Sequence, residues 1–109
     1  MATDARYFIL ANYSQKAIAG LVQAPSDRAA AVRKMCKAVG VKFVSLDVCR
    51  GAFDVVVAVE ADSFDKVLGV KMAVMASGAI SELHILEALD PSAALKHAGT
   101  AAKAYTPAG

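Results

Sequence analysis

Six side chains in this sequence could assemble into a small reactive site: Asn12, Tyr13, Arg50, Asp54, Glu82 and His84. Histidine titrates near neutral pH, and a nearby carboxylate can orient it or accept its proton, so such a pair suits acid or base work. In that reading His84 and Asp54 are the catalytic pair, while Tyr13, Asn12, Arg50 and Glu82 hold the polar atoms of a small substrate. Each residue also has a plainer role. Asp54 follows Gly51 and suits a turn cap that bonds backbone amides, and His84 suits a hydrogen-bonded interior group. Glu82, His84 and Asp54 together make a nitrogen and oxygen set of the kind zinc, iron or manganese accepts. No H-x-H or H-E-x-x-H spacing accompanies them, so no metal is expected. No cofactor is implied either, because Gly51, Gly69 and Gly78 are isolated and form no phosphate-binding pattern. Cys49 adjoins Arg50, whose charge lowers a thiol pKa, but reactivity would also require exposure. Met72 and Met75 read as core filler, and His97 as a residue near a helix end.

Residues so far apart along the chain meet only if the fold brings them together. Tyr7 to Tyr13 is a short aromatic and aliphatic run, read as the first strand, with Ser14 placed to cap a helix. Helical spacing continues to Val39 but is broken at Ala24-Pro25, since proline lacks a donor and disfavours helix in the residue before it. Two segments are therefore expected, the second opening at Ser26 or Asp27 and closing at Gly40. Val41 to Val48 reads as a strand, Arg50-Gly51-Ala52 as a tight connection, and Phe53 to Ala61 as the next strand. Asp62-Ser63 caps a helix over Phe64 to Ala76, Gly78 ends it, and Ile80 to Leu89 is the fourth strand. Asp90-Pro91 starts a short alanine-rich helix reaching His97.

The order βαββαβ predicts an α+β, ferredoxin-like fold with a four-stranded antiparallel sheet in the order 4-1-3-2. The domain is expected over 1–90, with 91–109 as a C-terminal helical tail. Strand alternation turns Val55, Val57, Val59, Leu83 and Ile85 toward the helices and leaves Val56, Ala58 and Leu86 on the other face. Such an apolar open face predicts a homodimer, or a higher homo-oligomer, joined face to face as a dimeric α/β barrel. In this order the six polar residues gather at one edge of the sheet. By the same alternation Asp54 and His84 share the barrel interior, with backbones about 9 to 10 Å apart, a separation that suits flanking a small ligand.

The chain has 109 residues, enough for one domain with its own core. A hydrophobic content of 57%, much of it alanine, points to surface buried between subunits, while no apolar run reaches the roughly 18 residues that span a membrane. The net charge of +2, scattered along the chain, gives no nucleic-acid footprint. The N-terminal segment from Met1 to Arg6 lacks a secretory pattern, and Cys36 and Cys49 read as reduced thiols of a cytoplasmic protein.

Gly51-Ala52-Phe53-Asp54 followed by Val55-Val56, with Tyr13-Ser14-Gln15 leading into a helix broken at Pro25-Ser26-Asp27-Arg28, resembles the bacterial GYD-domain family over about residues 6–90. The resemblance implies a small ferredoxin-like domain of the dimeric α/β-barrel kind and brings no settled activity with it. Phe53 stands where the family motif has tyrosine, so any role for that hydroxyl is absent or supplied elsewhere. Two readings follow: binding or transformation of a small molecule in a barrel cavity, or a non-enzymatic assembly or regulatory protein whose sheet face is filled by its partner subunit. Whether the protein is an enzyme stays open at this level.

Overall fold

The sheet is built from β1 (Ala5–Tyr13), β2 (Lys42–Val48), β3 (Val55–Ala61) and β4 (Ile80–Glu87), hydrogen-bonded in the order β2-β3-β1-β4 in a computed structural model that describes residues 4–109. Met1 to Thr3, the start of the segment read for a secretory pattern, lie outside the described residues. The order is the expected one read from the other side, and every neighbouring pair is antiparallel. The helices are α1 (Gln15–Gln23), α2 (Arg28–Ala38), α3 (Phe64–Ala76) and α4 (Ser92–Ala104).

Local chemistry sets these boundaries. The Ser14 hydroxyl accepts from Ala17 N–H and starts α1, and an Asp27 carboxylate oxygen accepts from Ala30 N–H and starts α2, with Pro25 between them. Gly40 and Gly78, at φ of 75° and 77°, let the chain turn out of α2 and α3 in the left-handed conformation that side chains resist. The connection between β2 and β3 is longer than the expected tight turn. It occupies residues 49–54, because Phe53 and Asp54 stay outside the ladder.

Alternation along the strands sorts the two faces as expected. Tyr7, Ile9, Ala11, Val55, Val57, Val59 and Leu83 are buried against Cys36 of α2 and Val67 and Val70 of α3. Val59 and Val67 are both 0% exposed, and burying a valine contributes about 1.5–3 kcal/mol, so this contact region ties β3 to α3. On the opposite face Phe8, Leu10 and Val56 are only partly covered and Leu86 is 55% exposed. Ala58 on that face is buried by its taller neighbours.

The last helix departs from expectation. It runs on to Ala104, seven residues past His97, because Ala98, Ala101, Ala102 and Ala104 favour helix strongly enough to carry Gly99. No residue of α4 is buried. The radius of gyration is 17.9 Å, against about 13 Å for a compact chain of this length, in keeping with an α4 that buries none of its residues.

Candidate functional site

The C-terminal end of β1 lies between the starts of β3 and β4, as the strand order requires. Ala11 pairs with Val55 on one side, and Asn12 pairs with Glu82 on the other. A register shift between Asn12 and Tyr13 lets Tyr13 pair with Ile80. Asn12, Tyr13, Asp54, Glu82 and His84 lie at this edge, divided between the two faces of the sheet.

On the open face, His84 Nε2 lies 2.6 Å from Glu82 Oε1, with both side chains about half exposed. The His84 hydrogen bond, reinforced by its charge and by a weaker contact from Asn12, holds the Glu82 carboxyl below its ordinary pKa against a smaller opposing effect of desolvation. The Phe53 ring meets the imidazole edge-on, with centroids 5.5 Å apart and planes at 69°. Phe53 thus walls the pair from the side of the 49–54 loop. Leu10 is the cross-strand neighbour of both His84 and Val56, so the pair stands at the rim of the apolar centre of this face. Its far end carries Glu60 between Arg6, at 3.7 Å, and Lys42, at 3.8 Å.

Asp54 belongs to the other group. Its Oδ2 accepts from Tyr13 N–H at 3.0 Å, and its own N–H is shared between Asn12 Oδ1 at 3.0 Å and the Ala11 carbonyl at 3.1 Å. Asn12 Nδ2 donates to the Ala52 carbonyl at 3.2 Å, and Cys49 N–H donates to the Asp54 carbonyl at 2.8 Å. These bonds clamp the 49–54 loop to the end of β1. Asp54 therefore caps backbone as the plainer reading expected, but the amide it holds is that of Tyr13, 41 residues away, rather than one in its own turn. The expectation that it shares the open face with His84 does not hold. Asp54 sits in a bend one residue before β3 begins, where strand alternation no longer governs direction, and it lines a recess on the helix side with Tyr13, Pro25 and Arg28. Arg50 is exposed in the loop.

Three hollows meet at Tyr13 and Arg28. One is an apolar cavity of about 110 Å³ between sheet and helices, whose only polar side chains among the described residues are Tyr13, Arg28 and Ser77. The others are recesses of about 330 and 230 Å³ around the α1–α2 connection. Sequence reasoning passed over Arg28 as an ordinary helix start. Its signal was available: a cation in the first turn opposes the helix dipole, where an acidic residue is the stabilising choice. Cys36 is buried, which pushes its thiol pKa up, and Cys49 is exposed with its Sγ 3.6 Å from the Asp47 carbonyl. Among the described residues, no three histidine, cysteine or acidic side chains cluster as metal ligands would, and no helix is long and apolar enough to cross a membrane.

A split βαβ sheet with helices on one face and a polar rim on the other defines the molecule as a ferredoxin-like α+β domain. The chain belongs to the GYD domain family, which matches residues 7–98 and so reaches beyond the expected boundary at 90 into α4. No curated protein matches it. Among solved structures it is similar to one described as FFRP-DM1, at 15% identity and a TM-score of 0.54, covering 78% of this chain and 99% of that one. It is also similar to the hypothetical protein PHS023 from Pyrococcus horikoshii, at 16% identity and a TM-score of 0.51, covering 79% and 90%. A third likeness, to MtbAldR, has 11% identity and a TM-score of 0.51 and covers 79% of this chain but 52% of that one. At these identities the likeness is one of fold.

Proposed function

We propose that the protein is a cytoplasmic homodimer, closed face to face as an α/β barrel, that binds a small molecule at the Glu82–His84 end of the enclosed space. The observation that carries this reading is the 2.6 Å His84–Glu82 contact, walled by Phe53, at the rim of an apolar sheet face. A half-exposed pair of this kind becomes an enclosed polar end once a second sheet covers Phe8, Leu10, Val56 and Leu86. Charge supports the pairing. The Arg6, Lys42 and Glu60 end of the face carries one net positive charge, and the other end carries Glu82 and Asp47, so a two-fold axis that sets each end against its opposite joins unlike charges.

In this site His84 holds or transfers a proton at Nε2, and Glu82 takes the orienting role first given to Asp54, one of whose carboxylate oxygens accepts from Tyr13 N–H. Asn12 completes the polar end, and Tyr13 and Arg50 are left outside it. The ligand is a small molecule with an apolar body and one hydrogen-bonding group. The two unpaired cysteines suit the reducing compartment assigned here. The tail from residue 91 serves as an assembly arm, a role favoured by the absence of any buried residue in α4. That absence also favours the second reading, of a non-enzymatic assembly protein.

Light scattering over a wide range of protein concentration tests the dimer. The wild type is expected to show dimer mass, and Leu86→Glu, which puts a charge into the covered face, is expected to show monomer. A wild-type monomer at every concentration would overturn the proposal. If the dimer stands but His84→Ala leaves its small-molecule binding profile unchanged, the assembly reading replaces the binding one.

A further inference from the structure

The cavity on the helix side of the sheet is separate from the Glu82–His84 face and is built differently. Ile9 and Val57 of the sheet, Val70 and Val74 of α3 and Leu83 of β4 supply aliphatic walls around about 110 Å³. The hollow is partly open, and water inside it would find few hydrogen-bond partners, so an apolar group displaces that water readily. An engineered protein cavity of about 150 Å³ with such walls takes a benzene ring, so this one suits an aliphatic chain of about four to six carbons.

Its polar side chains are unequally committed. The Ser77 hydroxyl donates to the Val74 carbonyl at 2.6 Å and accepts from Ala79 N–H at 3.2 Å. Arg28 donates from Nη1 to Ser26 Oγ at 3.2 Å and, among the described residues, has no carboxylate within ion-pairing distance. Most of its fork of donors is therefore uncommitted at the junction of the three hollows. Asp54 lines the outer recess but not the cavity, and one of its oxygens is taken by Tyr13 N–H.

We propose that this cavity binds a short aliphatic monocarboxylate, with its chain among Ile9, Val57, Val70, Val74 and Leu83 and its carboxylate on the Arg28 guanidinium. Arginine meets a carboxylate with two parallel hydrogen bonds, and an apolar wall beside the pair strengthens them by excluding water. The cation that opposes the α2 dipole then has a use that the isolated helix does not give it.

The test follows methyl NMR spectra of the full-length protein during titration with sodium hexanoate, sodium acetate and hexan-1-ol. Saturable shifts are expected at Val32, Val70, Val74 and Leu83. Each methylene is worth about fourfold in affinity, so hexanoate is expected to bind roughly two hundred times more tightly than acetate. Arg28→Gln, a partly exposed change that leaves the core intact, is expected to weaken hexanoate about tenfold or more and to leave hexanol unaffected. Absence of saturable shifts at these methyls overturns the proposal, as does equal hexanoate affinity in Arg28→Gln. Shifts confined to Val56 and Leu86 would assign the ligand to the opposite face and overturn it too, while leaving the dimer-face reading standing.

Discussion

Replacing Asp54 with alanine removes the acceptor of Tyr13 N–H and keeps the backbone bonds that Asp54 makes to Asn12, Ala11 and Cys49. A hydrogen bond to a charged group contributes about 1.5–3 kcal/mol, and the site is only part-buried, so water can partly replace the lost partner. The expected cost is thus at the low end, about 1.5–2 kcal/mol. Asp54→Asn keeps an oxygen that can accept from the same amide and gives up only the charge, for a cost of about 0.5–1 kcal/mol. Urea unfolding at one fixed protein concentration, so that any contribution of assembly is the same for every variant, reads both. With a slope of about 1.3 kcal/mol/M, the alanine variant is expected to unfold at a midpoint about 1.2–1.5 M below the wild type, and the asparagine variant about half as far. An alanine midpoint within about 0.3 M of the wild type, at unchanged slope, would refute the clamp and return Asp54 to the pool of free carboxylates available to a ligand. Asn12→Ala adds an internal check. Its effect and that of Asp54→Ala should be less than additive, because both loosen the same loop from the end of β1.

Carbon-detected titration of Glu82 should place its midpoint below the ordinary glutamate value, and His84→Ala should move it upward; an unmoved midpoint would show that the pair does not form in solution. Since the folded-state value is the lowered one, what the pair adds to stability is present above the ordinary glutamate range and is lost as pH falls through the lowered value, which acid unfolding of wild type and His84→Ala will compare. A thiol reagent should modify the exposed Cys49 quickly and Cys36 only after unfolding, because Cys36 is inaccessible and its burial favours the neutral thiol; equal rates would contradict the packing of α2 on the sheet. Amide exchange should be fast along α4 in dilute protein and slow where β3 meets β1, and protection of α4 that rises with protein concentration would mark it as an assembly arm.

The fold was legible because its signals are periodic or local. Alternation at Val55, Val57 and Val59 told the two sheet faces apart, and Ser14, Asp27, Gly40 and Gly78 marked helix ends through capping and backbone chemistry that neighbouring sequence alone supplies. The edge at which Asn12, Glu82 and His84 meet followed from strand order. What stayed hidden lies where periodicity stops. Asp54 stands one residue outside β3, and there the direction of a side chain depends on loop bonds to Asn12 and Tyr13 from another part of the chain. The cavity beneath Arg28 was equally out of reach, for a different reason. Ala11 and Ala79 are visibly small, but whether Val32, Val70 and Val74 collapse onto them or leave about 110 Å³ open depends on how α2 and α3 are held. Gly40 and the Asp27 cap fix the two ends of α2, and the sheet register fixes the floor beneath it. The void is thus a consequence of several local choices made far apart, which makes the misplaced charge at Arg28 the one mark of it that a linear reading could have caught.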